Sequence, residues 1–227
     1  HRLTPGKLVA VLAVDPTSPI SGGALLGDRI RLSVLDDKSK ADSIYVRSVA
    51  TRSSSGSIPS IVKGLASHLL AEKFDLVIIE TVGAGQSEMR CAAIANRIIV
   101  VEGPARGDGI QAEKAGLLEL ADLIVVNKSD MDGAERVVND LTMSLTLTDD
   151  APPIIRTSAI NGDGLDELSG MILQLSERLT SRRARARQQL LMAHENILIQ
   201  NPAFEAILDR MSEEGLVLEE ALRLLNE

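Results

Sequence analysis

Hydrophobic and polar positions follow two patterns along this chain, and each predicts a different element. Unbroken apolar runs of roughly four to eight residues are too short for helices and predict strands buried on both faces. Between them, apolar residues such as Ile61, Leu65 and Leu69 recur at the spacing of one helix face. Strands are predicted at residues 7–14, 44–48, 76–79, 97–101, 122–126 and 154–157, and helices at 58–73, 110–120, 133–147 and 165–200.

The alternation of strands and helices extends from Lys7 to about Gln174. It predicts an α/β fold with a mostly parallel sheet flanked by helices. Residues 175–227 show no strand pattern, and their apolar residues are spaced for helices. We therefore predict one α/β domain over residues 1–174 and a C-terminal helical extension over residues 175–227. The extension is a candidate dimerisation arm.

Acidic residues stand where two of the predicted strands end. Glu80 follows the strand at 76–79 and precedes Gly83 and Gly85, while Asp15 ends the first strand. Glycine allows positive φ and a close approach of the backbone to a ligand. In α/β proteins, ligands bind at the carboxyl ends of parallel strands. Glu80 taken alone fits two interpretations equally, a carboxylate facing Mg²⁺ in a nucleoside triphosphatase or a solvated strand end.

Composition narrows the classes of function. The net charge of −8 and the 1% aromatic content argue against nucleic-acid binding, which needs a basic surface and aromatic side chains for stacking. The single cysteine, Cys91, excludes an intrachain disulfide and a cysteine-rich metal site. No apolar segment has the length of a membrane span, so we expect no membrane partner and a cytoplasmic location.

The most informative local motif is Asn127-Lys128-Ser129-Asp130, directly after a predicted buried strand. An aspartate carboxylate can accept two hydrogen bonds from the N1–H and N2–H groups of guanine, which adenine lacks, so Asp130 would discriminate between the bases. The Lys128 stem can lie over the base or the ribose, and Asn127 can tie the loop together. Ser158-Ala159, after the next strand, is expected to offer a backbone N–H to guanine O6.

These motifs give the chain a family resemblance over nearly its whole length. It resembles the P-loop GTPases of the MeaB/ArgK type, the GTPases associated with methylmalonyl-CoA mutase. The resemblance implies a P-loop NTPase fold with a SIMIBI-type G domain. Its carrying segments are Val14-Asp-Pro-Thr-Ser18, residues 22–31, residues 47–52, Glu80-Thr-Val-Gly-Ala-Gly-Gln-Ser-Glu88, Gly107-Asp108 with Gln111 and Lys114, and Asn127–Asp130.

The resemblance also implies ligands and roles. GTP or GDP and Mg²⁺ are the expected ligands, and oxygen donors suit Mg²⁺. Asp15 and Asp28 resemble switch I acids near the metal, and Glu80 resembles the acid that begins switch II on the metal side. Gly83 resembles the glycine whose N–H meets the γ-phosphate. Lys114, together with Asp108 and Gln111, resembles a third switch that relays the nucleotide state to a partner enzyme.

One departure from the family pattern concerns the phosphates. The motif Gly-x-x-x-x-Gly-Lys-[Ser/Thr] is absent, and the resemblance places it upstream of the first strand, before His1. We therefore expect an N-terminally truncated chain that lacks its first strand and P-loop. Without the phosphate-binding loop, this fragment should bind GTP weakly and hydrolyse it negligibly.

The resemblance implies a GTP-hydrolysing chaperone that gates cofactor loading or protection of a cobalamin-dependent acyl-CoA mutase, such as methylmalonyl-CoA mutase. A homodimer is expected. One alternative is a metallochaperone-type GTPase, although the Cys/His cluster typical of such a metal site is missing. Another alternative is a non-catalytic dimeric scaffold that associates through its C-terminal helices.

Overall fold

The fold was analysed in a computed structural model. It describes residues 2–3, 6–16, 42–51, 60–81, 94–104, 112–146 and 150–225. The strands are β1 (Val9–Pro16), β2 (Ile44–Thr51), β3 (Leu76–Thr81), β4 (Ile99–Glu102), β5 (Leu123–Val126) and β6 (Ile154–Arg156). The helices in these ranges are α1 (Ser60–Ala71), α2 (Ala112–Leu120), α3 (Ala134–Leu145), α4 (Leu165–Gln174), α5 (Leu179–Gln200), α6 (Phe204–Glu213) and α7 (Leu218–Leu225).

Every pair among the described strands is parallel, which confirms the predicted sheet type. The strands form two three-stranded sheets with the orders β2-β1-β3 and β4-β5-β6. In the part of the chain that the structure describes, β3 and β4 are therefore edge strands. Val101 of β4 is 62% exposed, whereas all four residues of the central strand β5 are buried.

Helices pack on these sheets through aliphatic side chains, as the low aromatic content predicts. Leu12 of β1 packs with Val62 of α1 in a hydrophobic cluster between the sheet β2-β1-β3 and that helix. Ile124 of β5 packs with Leu141 of α3 on one face of the second sheet. The other face of that sheet, which includes Leu123, contacts side chains of α4. Burial of this aliphatic surface is the main stabilising term for both sheets.

The expected single helix over residues 165–200 is wrong. Helix α4 ends at Gln174 and α5 begins at Leu179, and the residues at the break, Leu175 and Arg178, have extended backbone. The break has a tertiary cause. The Arg178 backbone N–H donates to Asp122 Oδ1 at 3.3 Å, which fixes the start of α5 against the start of β5.

Five residues, here called the Asp122 cluster, hold α5 to the second sheet. They are Asp122, Glu177, Arg178, Ser181 and Arg185. The Asp122 carboxylate accepts hydrogen bonds from Arg185 Nη1 at 2.8 Å and from Ser181 Oγ at 2.6 Å, in addition to the bond from Arg178 N. Asp122, Ser181 and Arg185 are each less than 5% exposed.

The two arginines of the Asp122 cluster also bind groups other than the Asp122 carboxylate. Arg185 Nη2 donates to Glu177 Oε1 at 2.8 Å. The Arg178 guanidinium donates to the backbone carbonyls of Ala121 and Asp150. A run of arginines such as those at 182, 183, 185 and 187 is typical of a solvated helix face. Arg185 departs from that pattern, because it is buried and ion-paired.

The Asp122 cluster changes the acidity of its central group. Burial by itself raises the pKa of Asp122, but hydrogen bonds from Ser181, Arg185, Ile98 and Arg178 together outweigh it and hold the pKa below its usual value. The charged form of Asp122 is thus the one that the fold stabilises.

Candidate functional site

The two loops with the predicted base-reading residues lie side by side because their strands are neighbours. Val126 at the end of β5 is in register with Arg156 at the end of β6. The loops that follow are joined by the backbone, since Ser129 N donates to Thr157 O at 2.9 Å. Asn127–Asp130 and Ser158-Ala159 therefore form one site at the carboxyl end of the second sheet.

Asn127 links three segments at this site. Its Oδ1 accepts hydrogen bonds from Ala159 N at 3.2 Å and from Thr157 Oγ1 at 3.3 Å. Its backbone N–H donates to Glu102 O at 2.8 Å, at the end of β4. Because Oδ1 is used by the protein, the Nδ2 protons are the part of this side chain that a ligand acceptor can use.

Asp130 is exposed, but its carboxylate is held in place. Ser158 Oγ, which is fully buried, donates to Asp130 Oδ1 at 2.5 Å. The same hydroxyl accepts a hydrogen bond from Asn161 N at 3.2 Å, which orients its proton toward Asp130. The carboxylate keeps acceptor capacity for further donors, so two N–H groups of a planar base fit its chemistry.

The backbone of Ser158-Ala159 differs in one respect from the expected arrangement. Ser158 N donates to Asp163 O at 3.0 Å, and Ala159 N donates to Asn127. Both N–H groups thus have partners within the protein. A guanine O6 at this loop would have to share the Ala159 N–H with Asn127 Oδ1 or displace that 3.2 Å contact.

Lys128 adopts an uncommon conformation against a glycine. Its φ is 62°, in the left-handed region that non-glycine residues seldom occupy. A Cβ on Gly103 would stand 3.2 Å from Asn127 O and 3.9 Å from Lys128 Cδ. The absence of a side chain at Gly103 therefore lets the lysine stem and the loop backbone lie against the end of β4.

A second glycine shapes the loop after β6. Gly164 has φ of 69°, and a Cβ there would stand only 2.2 Å from Arg156 O. Gly164 directly follows Asp163, whose backbone carbonyl accepts the hydrogen bond from Ser158 N. Any larger residue would force this loop away from β6 and disturb the anchor of Asp130. The steric roles of Gly103 and Gly164 leave no local pattern in the sequence, because each depends on how closely two segments approach in the fold.

The structure describes only part of the expected metal and phosphate site. Asp15 lies in β1 and Glu80 in β3, at the carboxyl ends of neighbouring strands in which Ala13 is in register with Glu80. Glu80 is exposed, and Lys114 lies in α2. Gly83, Asp28, Asp108 and Gln111 are outside the described residues. Within the described ranges, no group of three or more His, Cys, Asp or Glu side chains is arranged to hold a metal ion.

Comparison with known proteins assigns the family. The family model described as "Methylmalonyl Co-A mutase-associated GTPase MeaB" matches residues 2–215. This chain belongs to the MeaB family. It is 35% identical over 194 residues to GTPase ArgK of Escherichia coli, across 81% of this chain and 58% of that protein. It is 36% identical over 171 residues to the mouse protein "Methylmalonic aciduria type A homolog, mitochondrial", across 72% of this chain and 40% of the relative.

Relatives differ in how much of their length the MeaB-family chain spans. A Pyrococcus abyssi relative is 35% identical over an alignment of 232 positions, gaps included, that covers 93% of this chain and 71% of that protein. The match to a second Pyrococcus protein, from Pyrococcus horikoshii, covers 53% of its length. The chain therefore corresponds to between about half and 71% of these two relatives.

The fold is shared with a more distant structure. HypB from Helicobacter pylori, solved in complex with nickel, superposes with a TM-score of 0.53 at 18% identity, over 76% of this chain and 77% of HypB. This similarity supports the α/β fold with helices flanking parallel sheets. None of the described helices is long and apolar enough to cross a membrane.

Proposed function

We propose that the intact protein binds GTP and GDP and hydrolyses GTP, and that this chain supplies the base-reading half of the site. The observation that carries the proposal is the joined pair of loops. Ser158 fixes the Asp130 carboxylate, and Asn127 ties its own loop to Ala159. A fixed carboxylate beside an orienting amide is suited to a base with two adjacent N–H donors.

The phosphate half of the site is proposed to combine this chain with a segment upstream of it. A strand followed by a P-loop could pair with β3 or with β4, each of which is an edge strand in the described part of the chain. Asp15, Asp28 and Glu80 would lie on the metal side. The Gly83 N–H would meet the γ-phosphate, and Lys114 would belong to the third switch. Mg²⁺ would supply charge neutralisation for phosphoryl transfer.

Calorimetry can test this division of the site. The 227-residue chain alone should bind GDP at least about a hundredfold more weakly than a protein extended upstream through a P-loop, because phosphate contacts would be missing. GTP hydrolysis should require the extended protein. Micromolar GDP affinity of the chain alone would contradict the proposal, and absence of binding by both proteins would favour the non-catalytic scaffold.

The partner is proposed from the family. MeaB is described as methylmalonyl-CoA mutase-associated, and we propose a cobalamin-dependent acyl-CoA mutase as the client, with nucleotide state gating cofactor loading or protection. The cytoplasm is the compartment that we propose, in keeping with a chain that has one cysteine. The metallochaperone alternative gains no support from the HypB similarity, which concerns the fold alone.

We also propose that residues 1–174 form the G domain and that the C-terminal extension, residues 175–227, joins two copies. The extension exposes large apolar side chains that a second copy could cover. On α5, Leu190 is 73% and Ile197 is 69% exposed, and they lie seven residues apart on one helix face.

Light scattering can test the proposed dimer. Replacing Leu190 and Ile197 together by glutamate should convert a dimer into a monomer, because two charges would be buried in an apolar interface. Glutamates at Gln189 and Asn196, which are exposed, seven residues apart and about a quarter turn around the helix from Leu190 and Ile197, provide the matched control. A dimer that persists in the first variant would argue against this interface.

A further inference from the structure

The Asp122 cluster and the base-reading loop lie at opposite ends of one short strand. Asp122 immediately precedes β5 and Asn127 immediately follows it. The intervening residues, Leu123–Val126, are at most 3% exposed. A strand of this length spans about 13 Å, and its buried side chains pack on both faces. Such a close-packed segment transmits displacement at one end to the other end.

Strand β4 strengthens this connection because it is bonded to β5 beyond both ends of the ladder. Ile98 N, just before β4, donates to Asp122 Oδ2 at 2.9 Å. Glu102 O, at the end of β4, accepts from Asn127 N at 2.8 Å. The carboxylate that receives Arg185 thus also sets the start of the strand whose end supports Asn127. At Gly103, directly after β4, an added Cβ would stand 3.2 Å from Asn127 O, so this end of β4 also lies close to the loop.

The C-terminal extension contributes three hydrogen-bond donors to Asp122. Arg185 and Ser181 of α5 and the backbone of Arg178 donate to the one buried carboxylate. Arg178 additionally binds Ala121 O, at the junction between α2 and β5. Fixed hydrogen bonds from several directions leave Asp122 little freedom to rotate.

We propose that Arg185 and Arg178 are positioning residues for the base-reading loop and that, through Asp122 and β5, they couple the C-terminal extension to guanine-nucleotide binding. The inference rests on the proposed function for its ligand. Binding free energies are reciprocal between coupled sites. A partner that shifts α5 would therefore change nucleotide affinity, and a bound nucleotide would change the affinity of that partner.

Hydrogen exchange of the 227-residue chain without nucleotide tests the coupling. Arg185→Met should accelerate exchange of amides in residues 123–130 and 157–162 by about tenfold, while β1 and α1 exchange as in the unchanged chain. Arg183→Met removes an exposed arginine from the same helix and should leave these segments unaltered. Ser181→Ala removes the hydroxyl that contacts Asp122 and Arg185 but removes no charged side chain. It should give the same pattern of faster exchange, with a smaller increase in rate, in a variant more stable than Arg185→Met.

Two outcomes would overturn the proposal. Faster exchange restricted to residues 179–200 would mean that the cluster only anchors α5. Equal acceleration in all segments, for both Arg185→Met and Ser181→Ala, would mean that the cluster only contributes to global stability. Because no nucleotide is present, these results are independent of GDP binding. Coupling without any guanine binding would leave the connection intact and reject the proposed function instead.

Discussion

Replacing Asp122 by asparagine is expected to lower the free energy of unfolding by about 3 kcal/mol, because Arg185 loses its fully buried counter-charge and keeps only the partly exposed Glu177. The ion pair is at 2.8 Å, and its side chains are 5% and 0% exposed. An asparagine amide would also direct a donor at one of the groups that now donate to the carboxylate. Urea denaturation of the two proteins measures the difference.

The same variant should change the dependence of stability on acid. The pKa of Asp122 is lower in the folded chain than its usual value, so its stabilisation is fully present above the unfolded pKa. It is lost as the pH falls through the folded pKa. The unchanged chain should therefore lose stability below about pH 4 more steeply than Asp122→Asn. Parallel pH curves for the two proteins would contradict this role of Asp122.

Asp163→Asn is the matched control for the loss of one negative charge. Asp163 is exposed, and its described contact to Ser158 uses the backbone carbonyl. A surface substitution of this kind changes stability by about 0.5 kcal/mol or less. A similar loss for Asp163→Asn and Asp122→Asn would show that net charge, and not the buried ion pair, explains the effect.

Asp130→Asn is expected to weaken GDP binding about a hundredfold in a protein with its phosphate-binding segment, since two charge-assisted hydrogen bonds to guanine are lost. The variant should at the same time accept xanthine diphosphate. Ser158 Oγ donates to Oδ1 of residue 130, and an asparagine with that oxygen retained would present its Nδ2 donor to the base. The 2-oxo group of xanthine is an acceptor for such a donor.

Calorimetric titration with GDP and xanthine diphosphate gives both affinities. Asp132→Asn, an exposed neighbour in the same turn, is the matched control and should bind both nucleotides as the unchanged protein does. Equal GDP affinity in Asp130→Asn and Asp132→Asn would argue against base reading by Asp130.

The strands could be predicted because unbroken apolar runs such as residues 123–126 have few alternatives to a buried parallel strand. The adjacency of the two base-reading loops then follows from parallel strands with a helix between them. The break before α5 could not be predicted, because residues 165–200 keep helical spacing throughout. Its cause is Asp122, more than fifty residues earlier, and burial of Arg185 has the same distant origin.

At the site, too, some features could be predicted from the sequence and others could not. The types and spacing of Asn127, Lys128 and Asp130 indicate their chemistry because a base edge requires those groups in that order. The hydrogen bond of Ser158 to Asp130 depends on how β5 and β6 align, and the lack of room for a side chain at Gly103 depends on how β4 and β5 align. Such contacts between segments leave no local pattern in the sequence.

The central claim is that this chain reads guanine through the loops at 127–130 and 158–162. The most direct measurement is an amide NMR titration of the 227-residue chain with GDP, and separately with ADP, at millimolar concentration. We predict GDP-dependent shifts concentrated at Lys128, Asp130, Ala159 and their neighbours, with little response to ADP. Equal responses to the two nucleotides, or GDP shifts that avoid both loops, would contradict the claim.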